Sequence, residues 1–220
     1  MAVRKSTTTT STRDSVFISA SSLFSSRGFD GVSMDDIARE AGVNKAMIYY
    51  HFADKLALYR AVVSEGLEAM SGTVAAIASS TDDSFSKLDR FIEAFVRMTE
   101  TRSWMPAIML REIAEGAPRL DAATLTHMRG IIAGFAAILR QGQERGVFSP
   151  VHPILAYESV VGPIIINAAR ERVAAQPLRQ HQDFPMLIDI SHEQVIRHGQ
   201  QAARRMLATD GQDKTESTHT

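Results

Sequence analysis

Apolar residues recur at three- and four-residue spacing along most of this chain, and sustained period-two alternation is absent. The pattern predicts helices throughout. The first covers residues 12–26, with Val16, Phe17, Ala20, Leu23 and Phe24 as its stripe. Gly28 follows as a left-handed C-terminal cap, and Phe29 folds back into the same core. A short second helix over 34–41 starts at Ser33, which with Asp36 fits a capping box; Ile37, Ala38 and Ala41 face inward. Gly42 breaks that helix, and a brief third one runs from Lys45 to His51. Asp54 caps a long fourth helix carrying Leu56, Leu58, Tyr59, Val62, Val63 and Leu67.

Further helices are expected over 84–101, from 103 to the Gly116-Ala117-Pro118 stop, over 121–145, over 153–174 and over 191–207. Pro153 suits a first helical position, and Pro163 is expected to kink its helix. Ser191 and Gln194 form a second possible capping box. Residues 175–190, with Pro177 and Pro185, read as looser chain. No internal repeat is visible. The fold class expected is all-α.

Residues 13–52 thus hold three short helices joined by tight turns. Their centre, helix, glycine turn, helix, is the helix-turn-helix plan, although a small helical bundle has the same periodicity. The third helix bears on the choice. Only Ile48 and Phe52 are needed for a core, which leaves Lys45, Tyr49, Tyr50 and His51 for an outer face. Ammonium, hydroxyl and imidazole donors suit phosphate oxygens, and the small Ala46 and flexible Met47 suit base edges such as a thymine methyl. The alternative for the two tyrosines is packing against the fourth helix.

The run Ser33-Met34-Asp35-Asp36-Ile37-Ala38-Arg39-Glu40-Ala41-Gly42-Val43-Asn44-Lys45-Ala46-Met47-Ile48-Tyr49-Tyr50-His51-Phe52, preceded by Gly28-Phe29 and followed by Asp54-Lys55 and Leu58, resembles the N-terminal domain of the tetracycline-repressor (TetR) family. The resemblance covers about residues 13–63. It implies that Ser33 bonds a phosphate and that Asn44 and Lys45 meet backbone and groove at the start of the recognition helix. It further implies that Ala46 and Met47 lie nearest the bases, that Tyr49, Tyr50 and His51 line the phosphates, and that Lys55 holds one more. Asn44 and Met47 depart from the commoner Ser and Thr, and Met47 cannot supply a hydroxyl to a base. The implied organisation is a disordered arm (1–12), a helix-turn-helix domain (13–63), a helical ligand-binding and dimerisation domain (64–208) and a flexible tail (209–220).

Composition narrows the reading. The chain has 220 residues, 45% hydrophobic and 22% charged, with a net charge of -1. That is an ordinary globular balance. Residues 1–64 carry eight basic and six acidic residues, a net of +2, against -3 for the remainder. The mild asymmetry implies few phosphate contacts per subunit and a need to dimerise for tight binding. There is no cysteine, which excludes disulfides, thiolate metal sites and a cysteine nucleophile. No unbroken apolar run approaches the roughly 18–20 residues of a membrane span, and the N-terminus lacks a signal-like apolar stretch. A cytoplasmic protein with no membrane partner is expected.

The resemblance also implies a dimer in which the two last helices pair with their copies. Val160, Val161, Ile164, Ile165 and Ile166 exceed what one helix face requires, and Gly199, Ala202 and Ala203 permit close approach; intrachain core is the alternative. It implies, too, an effector pocket between helices five to eight. Helical spacing nominates Phe91, Phe95, Met98, Trp104, Met105, Ile108, Met109, Met128, Ile131 and Phe135 for an apolar or aromatic small molecule, although plain core gives the same stripe. His127, Glu112 and Arg111 are the polar groups nearby. No cofactor is expected. No phosphate-binding glycine loop, nucleophile elbow or His-Glu-x-x-His motif occurs, so neither catalytic nor metal residues are assigned. The expected function is a dimeric regulator, a repressor that an effector releases from duplex operator DNA. The alternatives are a ligand-independent regulator or activator, and a helical carrier that does not bind DNA.

Overall fold

A computed structural model describes residues 11–174 and 190–209. The expected arm, tail and looser stretch lie almost wholly outside these residues. Within them the chain is helical: α1 (Thr12–Arg27), α2 (Met34–Ala41), α3 (Lys45–His51), α4 (Lys55–Ser79), α5 (Ser84–Thr101), α6 (Met105–Glu115), α7 (Ala122–Glu144), α8 (Pro153–Ala174) and α9 (His192–Leu207).

The starts of these helices are set by side chains that accept the orphan N–H groups of the first turn. Ser11, Asn44, Asp83 and Asp121 do this for α1, α3, α5 and α7. Asp54 does the same for α4, accepting from the Ala57 N–H at 2.7 Å. Both expected capping boxes form, Ser33 with Asp36 and Ser191 with Gln194. Gly42 ends α2 in the left-handed region (φ 65°, ψ 31°). Gly28 departs from expectation. It has φ 75° but ψ 175°, a conformation reserved almost entirely for glycine rather than an ordinary left-handed cap.

The chain divides into two compact units. The first comprises the chain up to Val63 together with residues 107–120; the second comprises residues 64–106 and everything from Asp121 onward. In the first, α1, α2 and α3 pack on one another around Val16, Phe24, Ile37, Ile48 and Leu58. In the second, α5 packs against α7, α8 and α9 around Phe91, Ile92, Phe135 and Ile138. Pro163 sits inside α8 without ending it.

Two helices, α4 and α7, are long and apolar enough by composition to cross a bilayer, which the search for unbroken apolar runs did not reveal. Their apolar residues are committed to the interior: Leu58, Val62, Val63, Val74 and Ile77 in α4, and Ile131, Phe135, Ile138 and Leu139 in α7. By that burial they are core helices, not membrane spans.

Candidate nucleic-acid interface

The first unit holds α3 by very few apolar anchors. Ile48 is fully buried and Phe52 nearly so, and the remaining side chains of α3 lean away from the core. Tyr50 is 81% exposed, Tyr49 47% and Met47 42%. Asn44 and Ala46 are exposed; Lys45 and His51 are half-buried. Both tyrosines therefore face outward, and packing against α4 does not account for them. The Asn44 side-chain oxygen accepts from the Ala46 N–H at 3.0 Å, fixing the N-terminal turn of α3.

Seven of the nine predicted residues share this surface: Asn44, Lys45, Ala46, Met47, Tyr49, Tyr50 and His51, all on or next to α3. The other two are built into the fold. The Ser33 hydroxyl donates to Asp36 Oδ2 at 2.5 Å and accepts from the Asp36 N–H at 3.1 Å. Its one proton is committed to the capping box, so the expected bond to a phosphate requires that box to open. These bonds from Ser33 hold the Asp36 carboxyl below its usual range. Lys55 is corrected outright. Its Nζ donates to the carbonyls of Phe29 and Val32, at 3.0 Å each, and lies 4.2 Å from the centroid of the Phe29 ring. The loop after α1 supplies orphan carbonyls, and the ammonium satisfies them in place of a phosphate.

Lys45 has a partner that the sequence did not disclose. Its Nζ donates to Asp35 Oδ2 at 2.8 Å, and this bond raises the lysine above its usual range. Ten residues and a turn separate the two, so no spacing rule within one helix links them.

A second polar cluster lies behind the same unit. Tyr59 Oη donates to Glu112 Oε1 at 2.7 Å, and an Arg119 guanidinium nitrogen donates to the same oxygen at 3.2 Å. Glu112 is fully buried. Burial first, and the Glu112 bond second, push the Tyr59 hydroxyl far above its usual range. Arg119 also pairs with Glu115 and with Asp30 and covers the Phe29 ring. Arg111 donates to the Phe24 and Ser25 carbonyls at the end of α1. The expectation that Arg111 and Glu112 orient an effector gives way to this role in holding the unit together.

The ten effector-pocket candidates do not assemble around one cavity. Ile108 and Met109 belong to the first unit, where Ile108 borders a small cavity of about 190 Å³; the other eight belong to the second. Phe91, Phe95 and Phe135 stack with Tyr157, their ring centroids 4.8–6.4 Å apart. Trp104 and Met105 fill the space left by the missing side chain of Gly66. Ile131 is buried, and Met98 and Met128 are half-buried. Helical spacing marked them as inward-facing, but neighbours rather than a void meet them. A larger groove, about 540 Å³, runs between α8 and α9, bordered by Val160, Pro163, Ile164, Gly199, Ala202 and Met206 among others. None of the ten lines it. Among the described residues no cluster of metal-ligating side chains occurs.

Residues 19–62 match the model of the bacterial regulatory proteins of the tetR family. Over 88 residues the chain is 36% identical to the transcriptional activator FasR of Mycolicibacterium smegmatis, covering 40% of each chain. Over 90 residues it is 30% identical to IcaR of Staphylococcus aureus, the negative regulator of the biofilm operon icaADBC, covering 41% of this chain and 48% of that one. The chain thus spans less than half the length of these curated relatives in the matched region. The fold is similar over a longer stretch to the crystal structure of PfmR from Thermus thermophilus, a TetR-family regulator. There the TM-score is 0.67 at 25% identity, covering 86% of this chain and 97% of that one. On its helix-turn-helix domain and its all-α fold, the chain belongs to the tetR family of bacterial regulatory proteins.

Proposed function

We propose that the chain is a transcriptional regulator that places α3 in the major groove of duplex DNA and acts as a homodimer. The observation that carries this reading is the outward face of α3. A short helix anchored by Ile48 and Phe52 exposes two tyrosines and a methionine that the core does not use. Ala46 and Met47 lie nearest the bases, where apolar contact with a thymine methyl replaces hydroxyl readout. Asn44, Lys45, Tyr49, Tyr50 and His51 approach the sugar-phosphate backbone.

A single short helix reads too few base pairs for a selective site, and two-fold dimers supply a second half-site. The α8–α9 groove supports that arrangement. Exposed Ile154, Leu155, Ile166 and Met206 lie on the same two helices, and Gly199 and Ala202 allow another helix to come close.

The proposed effect is repression by occupancy of an operator, relieved by a small apolar or aromatic effector that binds the DNA-incompetent state better. The cluster of Phe91, Phe95, Phe135 and Tyr157 is the place where such a molecule would insert, by displacing packed rings. Activation is the second reading, favoured by the name of one curated relative, the activator FasR. A mobility-shift assay with the DNA upstream of the chain's own gene tests binding. Retarded complex that disappears in Tyr49→Ala, with an intact dimer, supports the proposal; no complex at low salt with any native promoter refutes it. A reporter fused to a bound promoter separates the two signs, rising on deletion of the regulator for repression and falling for activation.

A further inference from the structure

The recognition helix carries one lysine and no arginine, and the structure ties that lysine to a carboxylate. Lys45 Nζ donates to Asp35 Oδ2 at 2.8 Å across the turn between α2 and α3. The Asp35 side chain is 64% exposed and that of Lys45 42%, so the pair lies on the surface that bears the exposed face of α3. The other charges of α2 make the setting more acidic. Asp36 is committed to Ser33 and to Arg39, which lies 3.2 Å away, and Glu40 adds a further exposed negative charge. Asp35 has no comparable duty within its own helix. The backbone cap of α2 is made by Ser33 and Asp36 alone.

We infer that Asp35 is a specificity-determining residue that withholds Lys45 from DNA until α3 is seated in its proper site. The inference rests on the reading of α3 as a DNA-recognition helix. Its physical basis is the difference between loose and seated binding. Binding to arbitrary duplex is almost wholly electrostatic and depends on how many cations meet phosphates. With Lys45 paired, each subunit loses its only recognition-helix ammonium to Asp35 in such encounters, and Asp35 itself repels the backbone. In the operator, base contacts hold α3 deep enough for Lys45 to exchange Asp35 for a phosphate. An exposed ion pair is weak, so this exchange costs little, roughly 0.2–1 kcal/mol. Asp35 thus lowers affinity for the many wrong sites more than for the right one, a repulsive element built into the surface.

The test uses the full chain and two fluorescein-labelled duplexes, a mixed-sequence 24-mer and an operator recovered by selection from a random library. Affinity is read by anisotropy over a salt series. For Asp35→Asn the mixed duplex is expected to bind on the order of three- to tenfold tighter near 0.1 M salt. Its log–log salt slope is expected to steepen by about 0.9 per subunit, the value of one added phosphate contact. Operator affinity is expected to change by no more than about twofold, with its slope unchanged, because Lys45 already meets DNA there. In a Lys45→Met background, Asp35→Asn is expected to lose its effect on the slope. Asp35→Ser, which keeps a residue suited to a helix first turn, serves as the second variant, and circular dichroism confirms that each folds.

An unchanged slope and affinity on the mixed duplex, in a variant that folds and binds operator, overturns the inference alone. A weakened operator complex with a shallower slope overturns it too, because Asp35 then orients Lys45 toward DNA. An effect that persists in the Lys45→Met background shows Asp35 acting by its own charge and overturns the role assigned to the pair. If the unaltered chain binds no duplex at low salt, the DNA-binding reading itself fails, and the inference with it.

Discussion

Replacing Tyr59 by phenylalanine removes one hydrogen-bond donor and leaves the ring. That ring makes edge-to-face contacts with Phe24 and Phe29, at 5.0 and 5.2 Å, which the substitution preserves. The lost bond ends on Glu112 Oε1, 2.7 Å away on a carboxylate with no exposed surface. The other oxygen, Oε2, has no hydrogen-bond partner among the described residues. In Tyr59→Phe the carboxylate therefore retains only Arg119, at 3.2 Å. A hydrogen bond to a charged group contributes about 1.5–3 kcal/mol, and full burial places this one in the upper half of that range. Arg119 limits the loss, because it keeps Glu112 from becoming a lone buried charge. The expected destabilisation is about 2–3 kcal/mol, measured as a shift in the urea midpoint at unchanged slope. Adding Glu112→Met removes the orphaned acceptor as well, while Arg119 keeps Glu115 and Asp30. The double variant is expected to cost less than the two single changes added together. If Tyr59→Phe unfolds within about 0.5 kcal/mol of the unaltered chain, the bond contributes nothing and the reasoning is wrong.

Three further outcomes follow from the same structure. Gly42→Ala meets no atom within 4 Å and should cost only the left-handed backbone, about 1 kcal/mol, whereas Gly28→Ala, with ψ near 180°, should cost roughly 2–3 kcal/mol; thermal melts of both would reveal the order. Burial pushes the Tyr157 hydroxyl up to about 12, so its contribution is complete below pH 10 and is lost as pH rises from 10 to 12. Tyr157→Phe should accordingly flatten the alkaline fall in stability across that interval by on the order of 2 kcal/mol, and an unchanged pH profile would count against burial as the cause. Lys55→Met should destabilise the first unit by about 1–3 kcal/mol through two lost bonds to carbonyls while leaving the salt slope of DNA binding unaltered; a slope shallower by about 0.9 per subunit would return Lys55 to the phosphates.

The local parts of this fold were legible because their causes are local. The bounds of α2 and α3 follow from Ser33, Gly42 and Asn44, each of which satisfies or frees a backbone group within four residues. Pro153 and the Ser191–Gln194 box likewise mark α8 and α9. The outward set on α3 was legible for the same reason, since only Ile48 and Phe52 had the spacing of an anchor. Contacts between distant segments were not. Tyr59 with Glu112, Arg119 with Asp30, and Lys55 with the Phe29 carbonyl join positions 26 to 89 residues apart, and no periodicity encodes them. The start of α6 was expected too early, because Arg102 and Met105 close a turn, N–H to carbonyl at 2.9 Å, before the helix begins. The effector candidates illustrate a different gap. Spacing identifies a buried face, but a face packed against Tyr157 and one lining a void have the same pattern.

The central claim is that the exposed face of α3 reads duplex DNA, and a footprint on a selected operator tests it most directly. Hydroxyl-radical cleavage with the unaltered chain should show two protected half-sites about 10 base pairs apart, centre to centre, related by two-fold symmetry. With Tyr49→Ala and Tyr50→Ala together, in a variant that melts and dimerises normally, both protections should vanish. Full protection in that variant would contradict the account, because DNA would then be held by a surface other than α3.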